Sequence, residues 1–327
     1  MKNYKQVKVM AFATAAAMAG AVFLGACSSG GGTSSTSSAE STAPSSEAAV
    51  SSAAETSSEE QTSSLETLDF STIMDKFEKG SLKSGNWDRT NVVAADTTTT
   101  ATIGVPGGEK TSVLMLKGNP GTLDASGAIQ TDPAKNSYYS SALLLKDGQA
   151  AQYGDGIFKF KEKLSGPQDK AENALVVFRD STPQKLLSDD SVTKALAVAS
   201  VGGTIQIQRN YKNSSGSVVK QEVVKDTGVK ISDNKYHYFI LALKDSDSST
   251  KVKLWIDGKS AYEGTVDGIT GKGAIQILQN STPMYDSNKK VLTTKDHSGK
   301  TVPLTACAEA YVGGYDDGPE VSDISLD

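Results

Sequence analysis

The sequence is poor in the residues that build disulfide frameworks, zinc sites and nucleic-acid surfaces. Its 327 residues include two cysteines and two histidines, and its formal net charge is −5. Two scattered histidines do not support a zinc site, and the acidic balance gives no basic footprint for nucleic acid, so we expect neither. After the N-terminal region, no apolar run approaches the ~18–20 residues that span a bilayer.

The N-terminal segment has the order of a secretory signal. Three lysines precede an apolar stretch from about residue 9 to residue 23, which is short for a membrane span. Residues 24–27 (Leu-Gly-Ala-Cys) follow, and they resemble the lipobox of bacterial lipoproteins. The resemblance implies cleavage before Cys27, diacylation of its sulfur, and an extracytoplasmic protein that is held to the bacterial cell membrane by its lipid anchor alone. The alternative is an ordinary secretory signal in which the cysteine is coincidental.

The composition then divides the chain into a tether and a folded domain. Residues 28–64 are nearly all Ser, Thr, Ala, Gly and Glu, without an aromatic residue. Such a segment cannot bury enough apolar area to offset the entropy lost on ordering it. The remaining ~260 residues fit one all-β sandwich. We therefore predict a signal peptide (1–26), a lipidated cysteine with a disordered Ser-rich tether (27–64) and one domain (65–327).

The second cysteine, Cys307, has no partner within one chain if lipid occupies Cys27. We therefore expect no intrachain disulfide. Cys307 lies in a strand-like run, and its expected role is that of a small buried hydrophobe, with a reactive thiol as the alternative.

Strand-like patterns recur through residues 65–327. Period-two and β-rich runs are separated by Asp-Gly pairs and Asn/Ser/Gly clusters, which favour tight turns. Many strands without a long amphipathic helix indicate an all-β sandwich. A short helix is predicted at residues 71–79, and a second is considered at residues 186–197, where an Ala/Val run fits either helix or strand.

Parts of this domain resemble known jelly rolls. Residues 235–240 (Lys-Tyr-His-Tyr-Phe-Ile) and 251–259 (Lys-Val-Lys-Leu-Trp-Ile-Asp-Gly-Lys) are similar to a hairpin of laminin G-like and pentraxin-like domains. Residues 311–314 (Tyr-Val-Gly-Gly) and 321–326 (Val-Ser-Asp-Ile-Ser-Leu) resemble their last strands, and residues 139–164 resemble laminarinase-type β-glucanases. The resemblance implies a concanavalin A-like jelly-roll sandwich of two antiparallel sheets.

The chain lacks the E-x-D-x-x-E motif that those glucanases carry. Retaining glycosidases need two carboxyl groups ~5–5.5 Å apart. The counterpart strand, within residues 194–203, carries alanines and a serine on the face where carboxylates would lie. We therefore predict that the chain is not an enzyme. The alternatives are a divergent glycoside hydrolase that uses other acids, such as Glu162 with Asp155, and a protein-binding adhesive module.

The predicted function is binding of a polysaccharide or cell-wall glycan by a surface-anchored monomer. The candidate contacts are one tryptophan that shares a strand face with lysines and a group on a second strand: Trp255, Tyr211, Gln206, Gln208 and Arg209. Aromatic rings pack on sugar rings, and amides both donate to and accept from hydroxyls. The alternatives are a packing role for Trp255 under a loop and a solvated strand face for the second group. Trp87 is expected to be a structural plug.

A structural Ca²⁺ is the one cofactor that the resemblance implies. Sandwiches of this superfold often bind calcium through backbone carbonyls and carboxylates. Asp316, Asp317 and Asp323 lie near the final strand, where such ligands occur. The alternative is that these side chains are solvated turn acids.

The polar segment of residues 284–303 is long and shows little pattern of its own. Long segments of this kind are usually functional or mobile, and we predict one of these roles here.

Overall fold

Alternating apolar side chains form the main core between two facing β-sheets. Because successive side chains of a strand point to opposite faces, each sheet keeps a second, outer face. The computed structural model describes residues 65–70, 87–88, 100–105, 111–117, 122–130, 138–165, 172–179, 185–295, 298–306 and 309–326. Among these residues, no helix has the length and apolar character needed to cross a membrane.

The first sheet, sheet A, contains eight strands. In order from one edge they are β16 (Lys259–Asp267), β15 (Ser249–Ile256), β14 (His237–Asp245), β9 (Gly156–Ser165), β21 (Glu309–Gly313), β4 (Val113–Lys117) and β3 (Thr100–Gly104), with β1 (Thr67–Asp69) beside β9. The β1 strand is parallel to β9, and the other neighbours are antiparallel.

The second sheet, sheet B, contains nine strands. In order they are β13 (Val218–Lys230), β12 (Thr204–Lys212), β11 (Ala195–Val201), β10 (Glu172–Phe178), β17 (Ala274–Pro283), β7 (Tyr138–Lys146) and β2 (Trp87–Asp88), with β20 (Thr305–Ala306) beside β17 and β8 (Gln149–Ala150) beside β7. All of these neighbours are antiparallel. Two separate pairs join β5 (Thr122–Leu123) to β6 (Ile129–Gln130) and β18 (Thr293–Lys295) to β19 (Thr301–Pro303).

Aromatic rings make up much of the core at sheet A. The rings of Phe160 and Phe239, on neighbouring strands, stack with centroids 4.9 Å apart. Trp87 packs edge-on against Phe70 at 5.7 Å and is buried, which confirms its predicted role as a structural plug. Each fully buried large apolar side chain contributes about 1.5–3 kcal/mol to stability through the hydrophobic effect.

The predicted all-β sandwich of two antiparallel sheets is confirmed, with β1 as a parallel exception. The helix considered at residues 186–197 is wrong. Residues 186–194 form turns and bends, and the Ala/Val run becomes β11 because β10 and β12 pair with it on both sides. Pairing with neighbouring strands thus determines the secondary structure of this run, because the local sequence is compatible with both helix and strand. The predicted helix at 71–79 and the two cysteines lie outside the described residues.

The segment after β17 forms two short hairpins, which we call the double hairpin (residues 284–304). Three backbone hydrogen bonds close its neck in a ring: Met284 N–H donates to Leu304 O, Leu304 N–H to Leu292 O, and Leu292 N–H to Met284 O, at 2.8–2.9 Å. One arm turns at Asp286, whose Oδ1 accepts two backbone N–H groups, and the other arm is β18 and β19. The segment therefore has more structure than its sequence pattern predicts.

Candidate carbohydrate-binding site

Amide side chains lie on the outer face of sheet B. The odd-numbered isoleucines of β12 and β17 belong to the core, so the residues between them face outward. Five amides share this face. Asn210 of β12 is bonded to a loop, and we call the other four the amide face: Gln206 and Gln208 on β12, and Gln276 and Asn280 on β17. Two of them, Gln206 and Gln208, were predicted from the sequence.

A hydrogen-bonded ladder orients the β12 flank of the amide face. Gln206 Nε2 donates to Asp226 Oδ2 at 3.3 Å, and Gln208 Nε2 donates to Gln206 Oε1 at 3.1 Å. This direction leaves Gln208 Oε1 as an acceptor without a partner within the described part of the chain. The carboxylate of Asp226 thus sets which atom the last amide of the ladder presents.

The β17 flank carries amides that are buried without protein partners. Gln276 is 0% exposed, and neither its Nε2 nor its Oε1 has a hydrogen-bond partner among the described residues. Asn280 Oδ1 is also unpartnered, and Gln208 on the other flank is 5% exposed. Buried polar atoms in native proteins are nearly always hydrogen-bonded, so these atoms point to a ligand or to ordered water.

A loop lies between the two flanks. Leu187 and Val192 pack on the alanines of β11, and Asn210 Nδ2 donates to the backbone oxygens of both, at 2.7 and 2.9 Å. The sequence analysis predicted that alanines and a serine share this face, and this prediction is wrong for the serine. Ser200 alternates with the alanines and points toward the core. The centre of the outer face is therefore filled by this loop.

Arg209 and Tyr211 do not join the amide face. Their position along β12 puts them on the opposite side of the sheet from Gln208. The guanidinium of Arg209 lies 3.9 Å over the Tyr211 ring, and its Nε donates to Glu222 Oε2 at 2.6 Å. A second bond from Arg209 reaches the backbone oxygen of Asp267 at the end of β16, so this group ties the edges of the two sheets.

Trp255 lies on the outer face of sheet A, away from the other predicted contacts. It is 7% exposed because residues 315–326 pack over it, with Tyr315 and Leu326 in the same cluster. A ring that stacks on a sugar needs an open face. The prediction of Trp255 as a sugar platform is therefore corrected in favour of the packing role.

The three aspartates predicted for calcium are not brought together. Asp317 accepts from Lys161 Nζ at 3.2 Å, and this bond and one from Tyr238 outweigh partial burial, so the pKa of Asp317 is lowered. Asp323 accepts the backbone N–H and hydroxyl of Ser325. Within the described ranges, no three His, Cys, Asp or Glu side chains form a group that could hold a metal ion. Calcium at Asp316, Asp317 and Asp323 stays a prediction.

One carboxyl group is buried between the sheets. Glu162 is 8% exposed, Asn173 Nδ2 of β10 donates to its Oε1 at 3.5 Å, and burial raises its pKa to about 7. Asp155, the acid considered with it, lies seven residues earlier, immediately before the first residue of the same strand. Seven residues of strand span ~23 Å, which is far beyond the ~5–9.5 Å that glycosidase carboxyl pairs require. This particular catalytic pair is therefore excluded.

His237, next to Glu162 in the sheet, is held by two aspartates. Its Nδ1 lies 2.8 Å from Asp257 Oδ2 and its Nε2 lies 2.9 Å from Asp233 Oδ1. Burial alone would lower the pKa of His237, but the two carboxylates outweigh it and raise that pKa. Because both ring nitrogens are occupied, His237 orders the loop before β14 and is not placed to act on a ligand.

Sequence reasoning missed an exposed aromatic residue. Tyr285, at the neck of the double hairpin, is 48% exposed, the form in which a ring can stack on a sugar. The only signal in the sequence was an aromatic residue within a long polar segment, next to the strand that carries Gln276 and Asn280.

No protein-family model and no curated protein matches the chain. Solved structures do resemble it. An endo-β-1,4-glucuronan lyase from Trichoderma reesei is 11% identical, with 72% of this chain and 98% of that chain covered and a TM-score of 0.41. A glycoside hydrolase family 16 endo-glucanase from Bacteroides ovatus is 16% identical (71% and 94% covered, TM-score 0.41), and a Bacillus licheniformis β-glucanase is 12% identical (71% and 97% covered, TM-score 0.32).

The domain is a sandwich of two large β-sheets, the architecture that the concanavalin A-like resemblance predicts. The likeness is distant and describes the fold alone. The prediction that the chain is not an enzyme is withdrawn: it rested on one missing motif, and the solved structures to which the chain is similar are named as hydrolases and a lyase. The missing E-x-D-x-x-E motif excludes one catalytic arrangement and leaves others open.

Proposed function

We propose that the domain binds a polysaccharide through the amide face. The observation that carries this proposal is the set of buried amide atoms on that face, at Gln208, Gln276 and Asn280, which have no partner among the described residues. An unmade hydrogen bond to a buried group costs about 1–3 kcal/mol, so a ligand that supplies it is stabilised by that bond.

The chemistry of these atoms suits sugar hydroxyls. A hydroxyl both donates and accepts, so it can serve Gln208 Oε1 and either amide atom of Gln276. The flanks on β12 and β17 are three strand spacings apart, which is ~14 Å. Because the loop that contains Leu187 and Val192 lies between the flanks, a glycan that contacts both flanks must pass over this loop.

A glycan array tests the proposal directly. The purified protein is applied with and without Ca²⁺, and we expect binding to a limited set of polysaccharides. Any dependence on Ca²⁺ is read from the same array. Absence of binding to every glycan in both conditions would contradict the proposal.

A second candidate function is cleavage of the bound glycan. What supports it is the register position of Glu172 on β10, directly between Val201 of β11 and Asn280 of β17. By register, Asp226 on β13 lies three strands and two residues from Glu172, or ~16 Å, and Asp88 on β2 lies three strands and four residues away, or ~20 Å. Neither distance fits a two-carboxyl mechanism, so cleavage here would need a different partner group.

Cleavage is measured as new reducing ends released from any polysaccharide that binds. If Glu172 is the acid, Glu172→Gln abolishes release and leaves binding intact. Release that survives in Glu172→Gln would remove this residue from the reaction, and no release from any bound glycan would end the second candidate.

We also propose that lipid on Cys27 presents the domain as a monomer outside the bacterial cell membrane. The support is the Leu-Gly-Ala-Cys run after a lysine-rich start and an apolar stretch. Labelled palmitate should enter the wild-type chain, and Cys27→Ala should prevent labelling and release the protein from membranes. Unchanged labelling in Cys27→Ala would contradict the anchor.

A further inference from the structure

The double hairpin is a basic surface on an acidic chain. Residues 284–304 contain four lysines and two aspartates, whereas the whole chain has a net charge of −5. Lys289, Lys290 and Lys295 are exposed, and none of them forms an ion pair with the described residues. Positive charge is thus concentrated on the two arms, and within the described residues Lys295 Nζ donates to a hydroxyl, Thr301 Oγ1, at 2.6 Å.

The arms are held in fixed relation to each other. The three-bond ring at Met284, Leu292 and Leu304 joins both arms at one neck. Asp286, the acid of the first arm, accepts the backbone N–H groups of Asn288 and Lys290 at its Oδ1. That carboxylate therefore orders the first arm while the lysine ammonium groups remain at the surface.

The position of the double hairpin links it to the amide face. Met284 follows Asn280 by four residues, at most ~14 Å of chain, and Asn280 is one of the buried amides of β17. Tyr285 adds an exposed ring at the neck. An aromatic face beside cations suits a sugar polymer that carries negative charge.

We infer that the double hairpin recognises anionic groups on the bound polysaccharide, so that the substrate class is a carboxylated or phosphorylated glycan. This inference rests on the proposed function and deepens it. The amide face contacts hydroxyls, while Lys289, Lys290 and Lys295 contact the charged groups. Both carboxylates and phosphates accept hydrogen bonds from lysine ammonium groups.

The test uses the full chain and three celluloses with the same backbone: hydroxyethyl, carboxymethyl and phosphorylated. Affinity is measured at about 0.01 M and about 1 M salt, where the screening lengths are ~30 and ~3 Å. We expect tighter binding to an anionic cellulose at low salt, and the two anionic forms separate carboxylate from phosphate recognition. A DNA oligonucleotide serves as a polyanion without a glycosidically linked polysaccharide chain, and equal binding to it would overturn the inference.

The decisive variant is Lys289→Gln/Lys290→Gln, with Lys225→Gln/Lys259→Gln as the matched control on distant strands. Removing two exposed charges should weaken anionic cellulose binding roughly two- to thirty-fold at low salt. Hydroxyethyl cellulose binding should not change. Because Lys289 has a positive φ of 63°, Lys290→Gln/Lys295→Gln is a second variant that leaves this turn residue intact.

The outcomes separate the two proposals. Equal affinity of the wild type for neutral and anionic celluloses, or an equal loss in the control variant, would overturn the charged-glycan inference and leave the proposed function standing. If anionic cellulose binds but substitutions on the amide face have no effect, the double hairpin acts alone and the proposed function fails.

Discussion

Glu162 of β9 and Asn173 of β10 contact each other across the two sheets, with Asn173 Nδ2 donating to Glu162 Oε1 at 3.5 Å. Both residues are buried, and burial raises the pKa of Glu162 from 4.5 to about 7. The folded state therefore holds this proton more tightly than the unfolded chain does.

The first prediction concerns pH and this carboxyl group. Because its folded pKa is raised, its effect on stability is absent below about pH 4.5, and stability falls between about pH 4.5 and about pH 7 as the unfolded chain ionises first. Glu162→Gln cannot ionise. We expect the variant to match the wild type at about pH 4 and to exceed its free energy of unfolding by up to about 3 kcal/mol at about pH 8.

Urea denaturation at both pH values measures this difference. Glu263→Gln, at an exposed acid of β16 that pairs with Lys253, is the control and should not reproduce the pH-dependent gain. A Glu162→Gln variant that is less stable than the wild type at about pH 8 would show that the carboxylate is tolerated in the core.

The second prediction concerns His237, whose pKa is raised by Asp257 and Asp233 against the opposing effect of burial. A raised pKa means that the stabilisation is fully present below the ordinary value of 6.5 and is lost as pH rises through the folded pKa. His237→Gln should therefore be less stable than the wild type at about pH 5, with a smaller difference at about pH 9. Thermal unfolding at both pH values measures this; a difference that does not depend on pH would contradict it.

The third prediction separates packing from binding at Trp255. The ring is covered by residues 315–326, so Trp255→Ala should lower the free energy of unfolding by about 3–5 kcal/mol. The affinity of the folded variant for a glycan should stay unchanged. Tyr285→Ala is the counterpart, because an exposed ring contributes little to stability and should affect affinity instead. Loss of binding in folded Trp255→Ala would restore its role as a sugar platform.

The strand pattern predicted much of this fold because it depends on local alternation. Ile205 and Ile207 face the core, and Gln206 and Gln208 face outward, because successive side chains of a strand point to opposite faces. The β11 run of Ala and Val was ambiguous because its type is decided by pairing with β10 and β12, which are distant in sequence.

The site was only partly predictable for the same reason. Gln206 and Gln208 share a strand face, but their nearness to β17 depends on the strand order of sheet B. Trp255 alternates with lysines, so the sequence showed its outer face correctly. It could not show that residues 315–326 return to cover that face, because this contact joins segments about 60 residues apart.

The binding of a polysaccharide by the amide face is tested most directly with two variants, Gln208→Met and Gln276→Leu. Both keep the approximate shape of the side chain and remove its amide, and their affinity is measured for a glycan that the wild type binds. Gln276→Leu removes a buried amide whose two polar atoms have no partner among the described residues, so it should leave stability equal or higher. Gln208→Met also removes the bond from Gln208 Nε2 to Gln206 Oε1, so it should lower the free energy of unfolding by about 0.5–1.5 kcal/mol. Each lost sugar hydrogen bond should weaken binding roughly two- to tenfold. Gln149→Leu, at an exposed amide of β8, is the matched control. Isothermal titration of the three variants and the wild type should show weaker binding in the first two alone; unchanged affinity in both would contradict the amide face as the site.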